Sequence, residues 1–416
     1  MEIVSDIVIV GAGISGLATA LALQRLGIKC LVLESADVLR AAGITITVWT
    51  NAWRALDALG LGDSLRQQHG QLVGICCSSL VTGDLTSNVS LTSKGKYGDH
   101  EVRCVKRKFL LEALAKELPS DTIRYSSKVV SIEESGSLKL VCLADGSTLK
   151  AKVLVGCDGV NSVVAKWLGF KKPALSGRSA IRGFAYYEKG HGFEPKFQLT
   201  MGNGVRYAIV PCDDNAVYWF LTWFPSAQEN RKLLEADQLK LKQFVLSKLG
   251  KVPEQISVLI GDTGVEEIVC SPIGYRPPLE VLFGNISKDN VCVAGDACHP
   301  MTPELGQGGS LALEDGIILA RCLANAFLNN SISQRRLGCE NDYNHRDRIK
   351  SALNNYANKR RWRASELIFT GYMVGWIQES DWFGVRFLRE NFLSAYLSGL
   401  SLKKADFDPR QLVLEL

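Results

Sequence analysis

Residues 6–16, DIVIVGAGISG, constrain the fold more than any other part of the sequence. Residues 7–10 are four consecutive apolar, mostly β-branched residues, which is typical of a buried strand in a parallel sheet. The G-x-G-x-x-G turn of Gly11, Gly13 and Gly16 follows, and the next residues have the composition of a helix. A glycine turn at a helix N-terminus binds anions, because the backbone can approach a pyrophosphate and the free N–H groups favour its charge. This stretch therefore predicts a dinucleotide-binding βαβ unit.

A second strand and an acidic residue complete this unit. Residues 30–33 form another short apolar run that ends at Glu34, about 20 residues past the glycines. A carboxylate at this position accepts hydrogen bonds from a ribose diol and repels a 2′-phosphate, so the adenosine belongs to FAD or NAD rather than to NADP. The residues that we assign to this nucleotide site are Gly11, Gly13, Ile14, Ser15, Gly16, Glu34 and Ser35.

Composition excludes several other classes of protein. Of the 416 residues, 46% are hydrophobic and 22% are charged, which is ordinary for a globular protein with a large core. A net charge of +5 is too small to predict a nucleic-acid partner. The 12 cysteines show no zinc-binding spacing, so we expect reduced thiols in a cytoplasmic protein and no metal. No apolar run is long enough for a transmembrane segment.

Two later strands end in the same manner as the first. A brief buried strand predicted at residues 152–155 leads into Gly156-Cys157-Asp158-Gly159, and another at 290–294 leads into Gly295-Asp296-Ala297. Ligands of open α/β sheets bind outside the carboxyl ends of the strands, where these carboxylates could accept hydrogen bonds from a sugar or ribityl chain. A glycine-rich loop at 306–309 then precedes a helix predicted from about Ser310, which is a second candidate anion or ring site.

The composition of the chain changes near residue 176. Residues 177–224 are rich in aromatic and β-branched residues and in turns, which favours an antiparallel sheet. We therefore divide the chain into a nucleotide-binding domain (1–175, continued at 269–345), a substrate domain (176–268) and C-terminal helices (346–416). Residues 72–100 are a candidate contribution to the substrate domain.

The ordered motifs resemble those of the class A flavoprotein aromatic monooxygenases, the group of p-hydroxybenzoate and salicylate hydroxylases. The fingerprint at 11–34, the DG motif at 157–159, the GD motif at 295–300 and the flavin loop at 303–309 are all similar to that family. The stretches VWTNAWRALDALGL, EVRCVKRKFLLEAL and GQGGSLALEDGIILARCL are similar to plant monooxygenases, which are related to bacterial FAD-dependent urate hydroxylases. The resemblance implies a Rossmann-like α/β fold of the p-hydroxybenzoate hydroxylase type, interleaved with an antiparallel-sheet substrate domain.

The resemblance implies FAD as the bound cofactor and NADPH or NADH as a transient reductant. Glu34 would hold the adenosine ribose, Asp296 the ribityl hydroxyls, and Arg107 would contact the FAD. Asp158 would serve FAD and NADPH indirectly, or would be a structural cap. The hydroxyl of Ser310 would cap its helix, although many relatives have Asn or Cys there. The other cofactor residues that the resemblance implies are Arg40, Ala42, Gly43, Val130, Gly159, Gly295, Pro303, Gly306, Gln307, Gly308 and Gly309.

The resemblance also implies the reaction, which is oxygen transfer from a flavin C4a-hydroperoxide to an aromatic or heteroaromatic small molecule, with O₂ as co-substrate. Pro303 and Gly306 would lie beside the reacting ring. Arg206 and Tyr218 keep a spacing like that of the substrate arginine and tyrosine of urate hydroxylases. The alternative for this pair is an exposed strand residue and a core ring.

Two other functions fit the same motifs. One is a same-fold epoxidase that acts on an electron-rich double bond of a plant specialised metabolite. The other is a flavin-binding protein without turnover. In each case we expect a monomer or a weak homodimer.

Overall fold

The computed structural model describes residues 4–39, 45–250, 252–328, 342–380 and 382–412. The strands are β1 (Val4–Val10), β2 (Leu31–Leu33), β3 (Thr45–Val48), β4 (Gly74–Ser79), β5 (Leu85–Ser90), β6 (Lys94–Gly95), β7 (Gly98–Asp99), β8 (Arg103–Lys106), β9 (Ile123–Arg124), β10 (Val129–Ser135), β11 (Leu138–Leu143), β12 (Thr148–Gly156), β13 (Ala174–Tyr186), β14 (Lys196–Gly202), β15 (Val205–Pro211), β16 (Ala216–Trp223), β17 (Ile268–Tyr275), β18 (Ser287–Lys288) and β19 (Val291–Val293).

Helices cover both sheets and form most of the C-terminal part. The α-helices are α1 (Ile14–Arg25), α2 (Thr50–Leu59), α3 (Gly62–Arg66), α4 (Arg107–Lys116), α5 (Val163–Trp167), α6 (Ala227–Leu234), α7 (Gln238–Leu249), α8 (Glu254–Asp262), α9 (Pro278–Phe283), α10 (Gly308–Leu328), α11 (Asp342–Glu379), α12 (Phe383–Leu388) and α13 (Ser394–Ala405). Short 3₁₀ helices span Val265–Glu267, Gly295–Ala297 and Pro303–Leu305, and a π-helical turn spans Arg389–Leu393.

The first sheet is the predicted Rossmann-like sheet. Its strands run in the order β10-β11-β12-β1-β2-β9, and β19 pairs with the outer part of β12 and with β18. Strands β1, β2, β12 and β19 are parallel, and Val10 lies opposite both Leu33 and Gly156. Gly156 in turn lies opposite Val293. The glycine turn, the DG motif and the GD motif therefore leave the same edge of the sheet, as predicted from their positions after apolar strands.

The second sheet has the order β17-β13-β16-β15-β14-β4-β5 within the described residues. All of its pairs are antiparallel except β4 with β14. Strands β4 and β5 come from within 72–100, the segment that we considered for the substrate domain. Strand β17 also belongs to this sheet, whereas our division ended that domain at residue 268. It pairs with the outer side of β13, from Gly183↔Ile268 to Ala174↔Tyr275.

The C-terminal helices close the molecule over both sheets. Helix α11 packs on α10 and on α9, and α13 packs on β5 and β4. These contacts bring the ends of α11 and α13 to the space between the two sheets, where Gln378 and Ser398 line a cavity. None of the helices that the structure describes is long and apolar enough to cross a membrane.

Candidate active site

One large cavity, of about 1110 Å³, lies between the carboxyl edge of the first sheet and one face of the second. Its walls come from both sheets, from the loop before α10 and from the ends of α11 and α13. Sites for drug-sized ligands typically measure about 300–1,000 Å³. The volume is therefore sufficient for an extended dinucleotide together with a small substrate.

The glycine turn forms one end of the cavity. Gly11 has φ +100°, and a Cβ there would lie 2.5 Å from the carbonyl oxygen of Cys157. A Cβ on Gly16 would lie 2.0 Å from the carbonyl oxygen of Gly11, so glycine at this position of α1 allows the helix to pack closely against the turn. Gly16 does not itself line the cavity. A Cβ on Gly13 would meet no described atom within 4 Å, because Gly13 faces the cavity. No side chain within the described part of the chain caps α1, so its first N–H groups can bind an anion.

Glu34 lies at the end of β2 with its carboxylate held beside this turn. Its Oε2 accepts a hydrogen bond from the Ala12 N–H (2.9 Å), and its Oε1 accepts one from the Ala36 N–H (2.9 Å). Glu34, Ser35, Ile14 and Ser15 all line the cavity. The carboxylate is therefore fixed where the distal end of a dinucleotide would lie.

Asp158 and Asp296 follow the other two strands and also line the cavity. Asp158 accepts hydrogen bonds from the Ser162 hydroxyl (2.5 Å) and from the Val163 N–H (2.7 Å) at the start of α5. Burial raises the pKa of Asp158 in spite of these hydrogen bonds. Asp158 therefore caps the start of α5, which is one of the two roles that the sequence left open. Asp296 is exposed on the cavity side of its 3₁₀ turn.

A buried network of charges supports the GD motif from behind. Asp315 Oδ2 accepts hydrogen bonds from the Gly295 N–H (2.8 Å) and pairs with His299 Nε2 (2.6 Å). Arg360 Nε donates to Asp315 Oδ1 (2.6 Å), and Arg360 Nη2 donates to Glu314 (2.8 Å). Burial raises the pKa of Asp315, but the charges of His299 and Arg360 outweigh burial and lower that pKa to about 2. His299 does not line the cavity and has a structural role here.

The predicted flavin loop forms the middle of the cavity wall. Pro303, Gly306, Gly308 and Gly309 line the cavity, and α10 begins at Gly308. Gly306 has φ +63°, and a Cβ there would lie 2.7 Å from Trp49 Nε1. Because glycine has no Cβ, the backbone at Gly306 can pass close to the Trp49 indole.

Gln307 of this loop and Ser310 of the following helix do not line the cavity. Gln307 is buried, and its Oε1 accepts a hydrogen bond from Asn51 Nδ2 (2.9 Å). Ser310 does not cap the helix as expected. It lies inside the first turn, because α10 begins two residues earlier, and its hydroxyl has no hydrogen-bond partner among the described residues.

The remaining predicted cofactor residues are placed as follows. Arg107 begins α4 and lines the cavity, and its Nε has no hydrogen-bond partner in the described ranges. Gly159 and Gly295 also line it. Arg40, Ala42 and Gly43 lie outside the described residues. Val130 was a wrong choice, because it is exposed whereas its neighbour Val129 lines the cavity, and the pairing of β10 with β11 is irregular at this point.

These residues fit FAD. The glycines leave room for the cofactor where a Cβ would occupy the cavity. The N-termini of α1 and α10 supply N–H groups at the same edge of the sheet. Arg107 Nε is a hydrogen-bond donor without a partner in the described part of the chain. The carboxylates of Glu34 and Asp296 can accept hydrogen bonds from hydroxyl groups. No three His, Cys, Asp or Glu side chains of the described residues are grouped closely enough to hold a metal ion.

The second sheet forms the other end of the cavity, with Arg206, Tyr218 and Phe220 among its walls. Arg206 is 2% exposed, and its guanidinium lies 4.8 Å from the centre of the Phe220 ring. Burial raises the pKa of Tyr218 to about 12, so its hydroxyl is neutral and can donate a hydrogen bond. Tyr207, the next residue along β15, belongs to the core on the opposite side of the sheet.

Several wall residues carried no sequence signal for this site. Thr222 comes from β16, Gln378 from the end of α11 and Leu397 from α13. Glu304 lies inside the flavin loop motif, so its position in the sequence could have drawn attention to it. The others are brought together only by tertiary packing.

The fold and the cavity define a Rossmann-type flavoprotein with an FAD site that opens onto a second, polar and aromatic chamber. The model of the FAD binding domain family matches residues 4–255 and 281–342. The chain belongs to this family, and within it to the class A flavoprotein monooxygenases.

Similar proteins support this assignment. The chain is 50% identical over 408 residues to Monooxygenase 2 of Arabidopsis thaliana, with 98% of each chain covered. It is 26% identical to the FAD-dependent urate hydroxylase of Mycolicibacterium vanbaalenii, over 87% of this chain and 86% of the relative. The crystal structure of Klebsiella pneumoniae HpxO complexed with FAD and uric acid has the same fold, with a TM-score of 0.79 at 22% identity, covering 96% and 97% of the two chains. The predicted family and fold are thereby confirmed.

Proposed function

We propose that this protein uses NADPH or NADH and O₂ to insert one oxygen atom into an aromatic or heteroaromatic small molecule. The observation that carries this proposal is the continuous cavity, which joins the glycine turn of the first sheet to the chamber beside Arg206 and Tyr218. Bound FAD would supply the redox and oxygen chemistry. The protein's own residues must bind and orient the substrate and keep water out.

The flavin loop occupies the position between the two ends of the cavity. Pro303 and Gly306 line the cavity, which supports the expectation that they lie beside the flavin ring. Apolar side chains such as Leu199, Phe197 and Leu397 line the chamber nearby. These walls favour a flat, weakly hydrated ring and exclude water from the reacting atoms.

Arg206 and Tyr218 would orient the substrate. The Nε and Nη1 groups of Arg206 have no hydrogen-bond partner among the residues that the structure describes. Burial lowers the pKa of Arg206, but a guanidinium remains charged in a protein. A charge-assisted hydrogen bond to a substrate oxygen would therefore satisfy a buried cation.

The test uses the FAD-loaded protein and a panel of aromatic, heteroaromatic and alkene compounds. A true substrate should stimulate both NAD(P)H oxidation and O₂ consumption with little peroxide release, and the product should gain one oxygen atom. The position of that atom separates ring hydroxylation from epoxidation. Arg206→Gln should raise the KM at least tenfold while FAD still binds, and Arg386→Gln, outside the cavity, is the matched control.

Two results would contradict the proposal. One is a purified protein that is colourless and does not take up FAD. The other is a yellow protein whose NAD(P)H oxidation no compound of the panel stimulates, which would favour a flavin-binding protein without turnover.

A further inference from the structure

A run of exposed apolar side chains lies along residues 382–396, from the start of α12 through the π-helical turn to α13. Most of them recur every four or five residues, which places them on one side of a helical segment. We call this set the aromatic face. Its members are Trp382 (72% exposed), Phe383 (74%), Phe387 (50%), Leu388 (49%), Phe392 (67%) and Tyr396 (60%).

The members of the aromatic face lie close enough together to form one patch. The rings of Phe387 and Phe392 are 6.1 Å apart across the π-helical turn. Phe383 lies one helical turn before Phe387, and Tyr396 lies one turn after Phe392, so each pair consists of neighbours on the surface. The patch is therefore continuous along the segment.

The area of the aromatic face is that of a protein interface. A fully buried aromatic side chain removes roughly 150–250 Å² from water, so the exposed fractions of the six residues correspond to roughly 700 Å². The largest apolar patch of a typical monomer measures about 300–600 Å². Two such faces packed on each other would bury roughly 1,400 Å², and stable complexes bury about 1,200–2,000 Å².

The charges of the segment favour a protein partner over a lipid surface. Helices that lie on membranes are rich in lysine and arginine beside their apolar face. The charged residues of the segment are Arg386, Arg389 and Glu390, which give a net charge of only +1. Arg389 is buried and donates to the carbonyl oxygen of Gln378 (2.8 Å), so it is not available to lipid headgroups. Aromatic residues with few charges are instead typical of the core of a protein interface.

We infer that the aromatic face is the interface of a homodimer, in which a second copy of this chain packs the same face against it around a two-fold axis. A two-fold axis brings identical patches together, so a patch rich in like charges would repel itself, whereas an apolar and nearly neutral patch is self-complementary. The opposite side of α13 carries Ser398 and Ser401, which line the cavity. The interface therefore lies directly behind one wall of the candidate active site.

Sedimentation velocity of the FAD-loaded protein tests this inference. The area of the interface predicts a dimer dissociation constant of about 10 μM or lower. Phe392→Asp brings two carboxylates into the apolar interface and should weaken the dimer at least 100-fold. Leu239→Asp changes a similarly exposed residue (60%) in the first turn of α7, and as the matched control it should leave the dimer unchanged.

Tyr396→Lys is a second variant of the aromatic face, and it should also dissociate the dimer. Neither Phe392 nor Tyr396 lines the cavity, so both variants should take up FAD as the native protein does. Both side chains are largely exposed, so the urea midpoint of the monomer should not fall. These two measurements show that a variant has lost the partner and not its fold.

The inference is wrong if the native protein stays monomeric at a tenfold higher concentration, or if both variants of the aromatic face remain dimeric. It is also wrong if Leu239→Asp dissociates the dimer as strongly as Phe392→Asp. Vesicles of phosphatidylcholine with one-fifth phosphatidylserine test the other occupant, and we expect no binding. A monomer that binds these vesicles and loses that binding in Phe392→Asp would assign the face to a lipid surface. No substrate or NAD(P)H enters these measurements, so they fail separately from the proposed function.

Discussion

Replacement of Gly16 by alanine should lower the stability of the protein, whereas replacement of Gly13 by alanine should weaken FAD binding. At Gly16 the new Cβ would lie 2.0 Å from the Gly11 carbonyl oxygen, whereas ordinary contacts begin at 3.4 Å, so the backbone must move by about 1.4 Å. Overpacking of this kind costs roughly 1–3 kcal/mol. At Gly13 the Cβ would meet no described atom within 4 Å and would project into the cavity.

Gly16→Ala should therefore lower the free energy of unfolding of the FAD-free protein by about 1–3 kcal/mol. Gly13→Ala should change it by less than about 0.5 kcal/mol. In Gly13→Ala the methyl group would occupy the space of the pyrophosphate. Losing one charge-assisted hydrogen bond, worth about 1.5–3 kcal/mol, weakens FAD binding roughly 10- to 100-fold.

Urea unfolding followed by tryptophan fluorescence measures the first quantity, and titration of FAD fluorescence quenching measures the second. The reasoning is refuted if Gly13→Ala binds FAD as tightly as the native protein. It is equally refuted if Gly16→Ala unfolds at the native urea concentration, because the turn would then not be packed as described.

Three other predictions concern the supports of the site. Arg360→Met should lower the free energy of unfolding by about 3–5 kcal/mol in urea, because it removes the buried guanidinium that pairs with both Glu314 and Asp315 and leaves them only their weaker set of partners, while the exposed Lys359→Met should have little effect. The pKa of Asp315 is about 2 in the folded protein against 3.8 for the unpaired group. This difference contributes about 2 kcal/mol to the free energy of unfolding above about pH 5, and the contribution is lost as the pH falls towards 2. Urea unfolding across this range should show a weaker dependence on pH in Asp315→Asn, and an identical slope would contradict the assignment. Arg107→Gln should raise the dissociation constant of FAD about tenfold without changing the urea midpoint, since its Nε has no partner in the described part of the chain, and an unchanged constant would place Arg107 outside the FAD site.

The parts of the fold that the sequence predicts are those with local causes. The apolar run at 7–10, the glycines after it and Glu34 lie within one βαβ unit, where strand period, turn geometry and helix capping act over a few residues. The three strand ends share an edge because parallel strands leave their carboxyl ends on one side. The family and the Rossmann-like fold were therefore accessible from the sequence.

The tertiary structure alone decided which side chains face the cavity. Val129 lines it and Val130 is exposed, at a point where the pairing of β10 with β11 shifts its register. Strand β17 joins the second sheet through pairing with β13, nearly a hundred residues away in the chain. Glu304, Gln378 and Arg206 belong to the wall of one cavity only because the flavin loop, the end of α11 and β15 are brought together by the fold. Such meetings depend on long-range packing, which no local pattern of residues encodes.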